Sequence, residues 1–155
     1  MKEKVYLRPA TVDDAQLIFD WANDLEVRQN SFSTDDSPWE VHKAWINRIL
    51  ADDSTLLYVL MDDAAPVGQV RLANNNGKWQ ISYSIASAYR GQGYGKIILK
   101  MAENELLTAG HGGEGLYAEV KKDNIASQRI FTGLGYRETD SEHAGALAYT
   151  KILGN

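Results

Sequence analysis

The chain has 155 residues, a formal net charge of −5 and no cysteine. These values exclude disulfides and thiolate metal sites, and they argue against nucleic acid as a partner, because such binding relies on a basic face. An apolar share of 44% and a charged share of 24% are typical of a globular protein, here expected to be a single domain spanning residues 1–155. No apolar run approaches the ~20 residues that cross a bilayer, so no membrane association is expected. The start, MKEKVYLRPA, lacks the apolar stretch of a secretory signal, and the expected location is the cytoplasm.

The N-terminal third reads as one strand followed by two helices. The run VYLRPA predicts a strand that ends at Pro9. Thr11 and Asp14 have the spacing of a capping box and predict a helix start. A second helix start is predicted at SPWE, with Ser37 as its N-cap and Pro38 at its first position. The apolar face predicted for this second helix consists of Val41, Trp45 and Ile49.

The middle of the chain predicts three consecutive strands. LLYVLM is apolar throughout, as a buried strand would be, and VGQVRLA follows after a short turn. Asn76-Gly77 predicts a hairpin, since both residues tolerate the positive φ of a type I′ turn. The returning strand WQISYSIA alternates, with Ile81, Tyr83 and Ile85 on one face. This segment is therefore expected to form an antiparallel sheet.

The C-terminal half alternates helices and strands. KIILKMAENELL predicts a helix that ends near Gly110, and GLYAEV predicts a strand. NIASQRIFTGL predicts a further helix, and GALAYTKIL predicts the last strand. The expected order is β-α-α-β-β-β-α-β-α-β-β, which describes a mixed α/β domain.

The stretch YRGQGYGK, residues 89–96, places three glycines directly between a predicted strand and a predicted helix. It has Arg90 where a Walker A loop requires its first glycine, and Ile97 where such a loop requires Ser or Thr after Gly95-Lys96. It also has Lys96 where a dinucleotide fingerprint requires its third glycine. The pattern Arg90-x-x-Gly93-x-Gly95 predicts amide N–H groups at a helix N-terminus, which form an anion site. The alternative is a tight turn without a ligand.

Two motifs resemble the GCN5-related N-acetyltransferase (GNAT) superfamily. The first is the glycine stretch, and the second is EVKKDNIASQRIFTGLGY. The resemblance implies the α/β (α+β) GNAT fold, with a mixed central sheet of six to seven strands and about four helices. It also implies two splayed parallel strands at the acyl-CoA site, here ISYSIA and LYAEV. The implied activity is acetyl transfer from acetyl-CoA to a primary amine, without a metal.

The resemblance also implies the residues that bind coenzyme A. The glycine turn would hold the pyrophosphate, and a backbone N–H near Ile85 would polarise the thioester carbonyl. The expected cofactor-binding residues are Ser84, Ile85, Ala86, Arg90, Gly91, Gln92, Gly93, Tyr94, Gly95, Lys96, Asn124, Ser127, Arg129 and Phe131.

Three residues are candidates for the proton transfers. Glu119 matches the glutamate that serves as general base in the ribosomal-protein acetyltransferases; the alternative is a surface glutamate, or one paired with Lys121 or Lys122. Many relatives carry a tyrosine near the coenzyme sulfur at the position of Phe131, which cannot donate a proton. Ser127 or Tyr83 would then supply the proton, or the thiolate would leave unaided.

The N-terminal region resembles one subgroup, the amino-sugar acetyltransferases of pseudaminic-acid and related nonulosonate pathways. This resemblance implies a nucleotide-linked amino-deoxy sugar as the acceptor, bound by an aromatic and cationic lid. The expected substrate-binding residues are Trp21, Asn23, Arg28, Ser31 and Phe32.

Two other functions remain open at this stage: a protein N-terminal acetyltransferase, and a non-catalytic domain that binds acyl-CoA. No metal site is expected, because His42, His111 and His143 lack the spacing of ligands. The expected assembly is a monomer or homodimer.

Overall fold

The computed structural model describes residues 4–24, 27 and 38–154. In this part of the chain seven strands and four α-helices occur. The strands are β1 (Val5–Pro9), β2 (Thr55–Asp62), β3 (Ala65–Asn75), β4 (Lys78–Ile85), β5 (Gly115–Lys121), β6 (Arg137–Asp140) and β7 (Ala146–Ile152). The helices are α1 (Ala15–Ala22), α2 (Trp39–Ala51), α3 (Tyr94–Thr108) and α4 (Ile125–Gly133). None of the described helices is long and apolar enough to cross a bilayer.

All seven strands form one sheet in the order β1-β2-β3-β4-β5-β7-β6. Every neighbouring pair is antiparallel except β4 and β5, which are parallel. The parallel pair is connected through α3, which packs on β3 and β4. The predicted fold class, a mixed sheet with helices on its faces, is confirmed.

Local sequence signals determine two of the predicted turns. Asn76 and Gly77 both have positive φ, 57° and 82°, as the predicted β3–β4 hairpin requires. Thr11 and Asp14 form the predicted capping box, but around a 3₁₀ turn (Val12–Asp14) that leads into α1. The Asp14 carboxylate also accepts two hydrogen bonds from Arg8, at 2.8 and 2.9 Å, which tie this turn to β1.

The face of α2 that packs on the sheet includes Trp45 and Ile49, as predicted, but not Val41. Val41 is exposed, whereas His42 and Ile46 are buried and Trp45 is half-buried. The helix begins at Trp39, and Pro38 precedes it in an extended conformation. The apolar residues of this helix are compatible with either neighbouring stripe, and the contact with α1 and β2 selects the stripe of His42.

Two hydrophobic clusters lie on opposite faces of the sheet. The larger cluster contains alternate residues of β3, β4 and β5 beneath α3, such as Leu72, Ile81 and Ala118. The smaller cluster joins α1 and α2 to β2, with Ile18, Ile46 and Val59 among its buried residues. Because Ala118 and its alternate neighbours face the larger cluster, Tyr117 and Glu119 face the side of α1 and α2. The sheet therefore separates a face covered by α3 and α4 from a face covered by α1 and α2.

Candidate active site

The parallel strands β4 and β5 separate after three residue pairs. Lys78 pairs with Gly115, Trp79 with Leu116 and Gln80 with Tyr117, and no pair follows. Beyond Gln80, β4 continues to Ile85 while paired only with β3. The predicted pair of splayed strands is therefore present, and a gap opens between residues 81–85 and 118–121.

Backbone donors of β4 face this gap. The N–H of Ala86 donates to the carbonyl of Val67 at 2.8 Å, on the β3 side. Successive residues of a strand direct their polar groups to opposite sides, so the N–H groups of Tyr83 and Ile85 are directed toward β5. Because β5 has moved away at this level, these two N–H groups are available to a bound molecule. Their direction is the one predicted for Ile85.

Glycine is required for different reasons at the three positions around the start of α3. Gly91 and Gly93 have φ of 77° and 88°, a region that L side chains rarely adopt. Gly95 is in the first turn of α3, where a Cβ would lie 2.8 Å from Cδ1 of Ile130 in α4. The turn therefore needs glycine for backbone shape and for helix packing, and it exposes the first N–H groups of α3.

Arg90 fixes the position of this turn. Its Nε donates to the carbonyl of Ile85 at 3.1 Å, and its Nη2 lies 2.8 Å from Oδ1 of Asp24. The guanidinium therefore joins the end of β4 to the residues after α1. These contacts are those of a residue that supports the turn, and the predicted anion site would then consist of backbone amides.

A cavity of about 750 Å³ occupies the gap and extends beneath α1 and α2. Most predicted site residues line it, namely Tyr83, Ser84, Ile85, Arg90, Gly91, Gly93, Tyr94, Gly95, Glu119, Asn124, Ser127 and Phe131. Among the predicted residues that the structure describes, six do not line it, namely Trp21, Asn23, Ala86, Gln92, Lys96 and Arg129. Among the residues that the structure describes, no group of acidic and histidine side chains is arranged to hold a metal ion.

Each residue outside the cavity has a distinct environment. The amide of Gln92 donates to the carbonyl of Ala88 at 3.3 Å, and Arg129 is exposed on α4. The Lys96 side chain lines a separate groove beside Lys151, so that only its backbone N–H, in the first turn of α3, could belong to the predicted anion site. These side chains offer no direct contact to a molecule in the cavity.

Glu119 lies in the cavity with its side chain 15% exposed. Its Oε2 accepts hydrogen bonds from Ser141 Oγ and from His143 Nδ1, each at 2.5 Å. Burial raises the pKa of Glu119, but the hydrogen bonds from His143 and Ser141 outweigh it, and the pKa lies below its usual value. Glu119 is therefore ionised at neutral pH and able to accept a proton.

Sequence reasoning missed Ser141 and His143. Both residues belong to the turn between β6 and β7, far from Glu119 along the chain. The pairing of β5 with β7, in which Lys121 opposes Ala146, brings this turn to the end of β5. Only the strand order reveals this proximity, because the residue types in SEHAG carry no signal of their own.

The two candidate acids form a hydrogen-bonded pair. The hydroxyl oxygens of Tyr83 in β4 and Ser127 in α4 are 2.7 Å apart. Burial raises the pKa of Tyr83, although the bond to Ser127 acts in the opposite direction. The side chain of Asn124 caps α4 by accepting from the N–H of Ser127 at 3.3 Å, which fixes the serine. Tyr83 is therefore protonated at neutral pH and faces the cavity.

Phe131 occupies the core beside this pair. It is 1% exposed and stacks on Tyr149, with ring centroids 5.7 Å apart. The ring of Tyr83 contacts Phe131 edge-on at 6.1 Å. The phenol that Phe131 lacks is thus present nearby, on Tyr83.

The far end of the cavity is lined by α1 and α2. Its described residues include Ile18, Ala22, Val27, His42 and Trp45. Trp21, predicted to bind substrate, packs instead against the smaller hydrophobic cluster, and Asn23 is the C-cap of α1. Arg28, Ser31 and Phe32, the other predicted substrate residues, lie outside the described residues.

The chain matches the acetyltransferase (GNAT) domain model over residues 4–137. It therefore belongs to the GNAT acetyltransferase family. No curated protein sequence matches the chain significantly.

Solved structures with the same fold extend over nearly the whole chain. Spermidine N-acetyltransferase from Vibrio cholerae, in complex with CoA and spermine, is 16% identical, with a TM-score of 0.86 and coverage of 97% of this chain and 96% of that one. The aminoglycoside acetyltransferase AAC(6′)-Ib with ribostamycin and coenzyme A is 14% identical, with a TM-score of 0.82 and coverage of 97% and 94%. The ribosomal-protein α-N-acetyltransferase RimL with coenzyme A is 14% identical, with a TM-score of 0.82 and coverage of 97% and 95%.

The predicted enzyme class, an acetyl-CoA-dependent N-acetyltransferase, is confirmed by the family match. At identities of 14–16% the solved structures establish the shared fold alone. The residues that hold the donor and the identity of the acceptor remain predictions.

Proposed function

We propose that this protein transfers the acetyl group of acetyl-CoA to the amino group of a nucleotide-linked amino-deoxy sugar. The observation that carries the proposal is the gap between β4 and β5, which has backbone donors on one side and an ionised carboxylate on the other. Tyr83 and Ile85 supply the donors, and Glu119 supplies the carboxylate. This combination suits attack by an amine on an activated acyl group.

The chain's own groups fit the donor at both ends of the gap. The N–H groups at the start of α3, from Gly93 to Lys96, have the polarity that a diphosphate requires, and Gly91 and Gly93 leave open space in front of them. The diverging strands leave room for an extended chain to lie between them, as an added strand would. Acetyl-CoA supplies a diphosphate, an extended arm and an activated acetyl thioester.

Three groups perform the chemistry in this proposal. Glu119 accepts the proton of the amine, either directly or through water, and His143 holds the carboxylate in place. The N–H of Ile85 donates to the carbonyl oxygen on which negative charge develops. Tyr83, hydrogen-bonded to Ser127, donates a proton to the departing sulfur.

The acceptor end of the cavity supports a sugar nucleotide. Trp45 offers a half-buried aromatic face there, and Arg71 adds a cation over that face, with Cζ 5.2 Å from the ring centroid. Aromatic rings stack on bases and sugar rings, and guanidinium groups bind phosphates. The structural neighbours with other acceptors are a polyamine enzyme, an aminoglycoside enzyme and a protein N-terminal enzyme.

A thiol-release assay with a panel of amines tests the proposal. The panel contains a nucleoside-diphosphate 4-amino-4,6-dideoxy sugar, spermidine, an aminoglycoside and a peptide with a free N-terminal serine. We expect the nucleotide sugar to give the highest kcat/KM, and Glu119→Gln to abolish most of that activity. Preference for the peptide would favour the N-terminal acetyltransferase instead, and release of no thiol with any amine would favour the acyl-CoA-binding domain.

A further inference from the structure

Arg71 is a partly buried cation that no described residue neutralises. It lies in β3, where it pairs with Leu57 of β2 and Ser82 of β4, on the sheet face covered by α1 and α2. Its guanidinium contacts the ring of Trp45 and lines the cavity. The described part of the chain gives this guanidinium neither an ion pair nor a hydrogen bond. Burial lowers the pKa of Arg71, yet a guanidinium remains charged at neutral pH.

His42 is a second polar group without a partner at the same place. It is 6% exposed, lines the cavity and contacts the ring of Trp45, with centroids 5.7 Å apart. Its Nε2 is buried and has no hydrogen-bond partner in the described part of the chain. A buried ring nitrogen without a partner is rare in native proteins, since each such group costs about 1–3 kcal/mol. Arg71 and His42 therefore both lie beside Trp45, and no described residue forms a hydrogen bond with the Arg71 guanidinium or with Nε2 of His42.

The strand pairing gives the position of Arg71 relative to Glu119. Arg71 is directly opposite Ser82, and both side chains are on the same face. The β4–β5 register, continued from the last pair, Gln80 and Tyr117, brings Ser82 level with Glu119. Arg71 and Glu119 are thus in one row across β3, β4 and β5. Two strand spacings separate their strands by roughly 10 Å, and the divergence of β5 adds to this distance.

We propose that the acceptor carries an oxyanion roughly 10 Å from its reactive amine, and that Arg71 binds this oxyanion beside His42, against the face of Trp45. The inference rests on the proposed function, because it takes the amine to be at Glu119. It extends that function by assigning the acceptor's charge and the residues that recognise it. The oxyanion is a phosphate in a sugar nucleotide and a carboxylate in an amino acid.

The same geometry disfavours polycationic acceptors. A polyamine or an aminoglycoside bound with one amine at Glu119 would place a further ammonium group near Arg71. Like charges that lie close together in a partly buried cavity repel each other, and no described carboxylate forms an ion pair with Arg71 to weaken this repulsion. The acceptor preference therefore differs from those named for the spermidine and aminoglycoside enzymes of the same fold.

Matched amines with and without an oxyanion provide the test. One pair is 6-aminohexanoate and hexylamine, and the other is a 4-amino-4,6-dideoxy sugar as its nucleoside diphosphate and as its methyl glycoside. Thiol release gives kcat/KM for each amine with wild type, Arg71→Met and Arg48→Met. Arg48→Met removes the same charge from the exposed face of α2 and serves as the matched control.

We expect the oxyanion-bearing member of a pair to be preferred by about 10-fold or more in wild type, the scale of one hydrogen bond to a charged group. Arg71→Met should bring the ratio close to one, while Arg48→Met leaves it unchanged. His42→Phe should raise KM for the oxyanion-bearing amine by about 3- to 10-fold, the scale of a neutral hydrogen bond, with KM for acetyl-CoA unchanged. An equal ratio in wild type and Arg71→Met, or spermidine as the best acceptor, would overturn the inference.

If Arg71→Met does not fold, calorimetric measurement of ligand binding to the wild-type protein tests the inference instead. UDP and uridine serve as non-reacting probes of wild-type protein saturated with CoA, which keeps UDP out of the coenzyme site. Tighter binding of UDP than of uridine supports the inference, and equal or absent binding of the two contradicts it. A preference for 6-aminohexanoate without turnover of the sugar nucleotide would retain the inference while refuting the proposed acceptor.

Discussion

The hydroxyl groups of Tyr83 and Ser127 are 2.7 Å apart, one on the strand that borders the gap and the other in the first turn of α4. These are the two residues that the sequence offered as alternative proton donors, and in the structure they form one unit. A donor of this kind needs a proton at neutral pH and a partner that orients it. Burial raises the pKa of Tyr83 and so keeps its phenol protonated, and the hydrogen bond with Ser127 orients the phenol.

The hydroxyl pair predicts a graded loss of turnover. Tyr83→Phe should lower kcat by about 10²-fold, the scale of one acid–base group, because the proposed mechanism assigns protonation of the departing sulfur to the phenol. Ser127→Ala should lower kcat less, since it removes only the orienting partner. The double variant should be no worse than Tyr83→Phe alone. Steady-state kinetics with an unchanged dissociation constant for CoA checks this prediction, and full turnover in Tyr83→Phe would show that the thiolate leaves unaided.

The proposed base role of Glu119 predicts that the loss of kcat/KM in Glu119→Gln depends on pH. Glu119→Gln keeps the shape of the side chain and removes its basicity, so kcat/KM should fall by about 10²–10⁴-fold at neutral pH. The deficit should shrink as pH rises, because more of the amine is then already neutral. Glu142→Gln, which removes the same charge from an exposed neighbour in the β6–β7 turn, should have little effect. A deficit that stays constant with pH would indicate a positioning role for Glu119.

The contact between His143 and Glu119 predicts a shift of the acid limb of activity. Burial raises the pKa of Glu119, and the His143 bond helps to hold it below the usual value. Without His143 the effect of burial is opposed by Ser141 alone, so the pKa should rise. The proposed mechanism requires the ionised carboxylate, so the acid limb of kcat/KM should move to higher pH in His143→Phe.

His111→Phe is the control for this shift. It removes a second histidine–glutamate contact, between His111 and Glu114 at 2.7 Å, outside the cavity. The pH profile of this variant should match that of wild type. An acid limb that does not move in His143→Phe would show that His143 does not influence the carboxylate.

The close approach of Gly95 to Ile130 predicts that Ile130→Val restores stability lost in Gly95→Ala. In Gly95→Ala the new Cβ would meet Ile130 Cδ1 at 2.8 Å, so the free energy of unfolding should fall by about 1–3 kcal/mol. CoA affinity should fall with it, because the first turn of α3 is displaced. Ile130→Val removes the clashing atom, and the double variant should be more stable than the sum of the two single changes predicts. Denaturant unfolding of all four proteins measures this coupling, and strict additivity would contradict the close approach.

The parts of this fold that were predictable from sequence are those that depend on neighbouring residues. The hairpin at Asn76-Gly77 and the glycine turn before α3 arise from local backbone preferences, and they lie where they were expected. The apolar face of α2 was predicted correctly at Trp45 and Ile49 and wrongly at Val41, which is exposed while His42 beside it is buried. Tertiary contact, rather than the helix's own pattern, determines that choice.

The parts of the site that were missed depend on strand register. His143 reaches Glu119 only because β7 inserts between β5 and β6, and Arg71 is level with Glu119 only because of two successive registers. Neither relationship has a spacing in the chain that would indicate it. Glu119, Tyr83 and Ser127 were found because they belong to or adjoin motifs of a familiar family, whereas Ser141, His143 and Arg71 do not.

The two hydrophobic clusters give the two ligands separate supports. The turn proposed for the diphosphate is part of the larger cluster, through Tyr94, whereas Trp45 packs against the smaller one, and the sheet lies between them. If the acceptor binds as proposed, substitutions in α1 and α2 alter which amine is admitted, while the packing of Tyr94 beneath the turn stays intact. With this arrangement, acceptor specificity can change during evolution while the residues that support the donor turn are conserved.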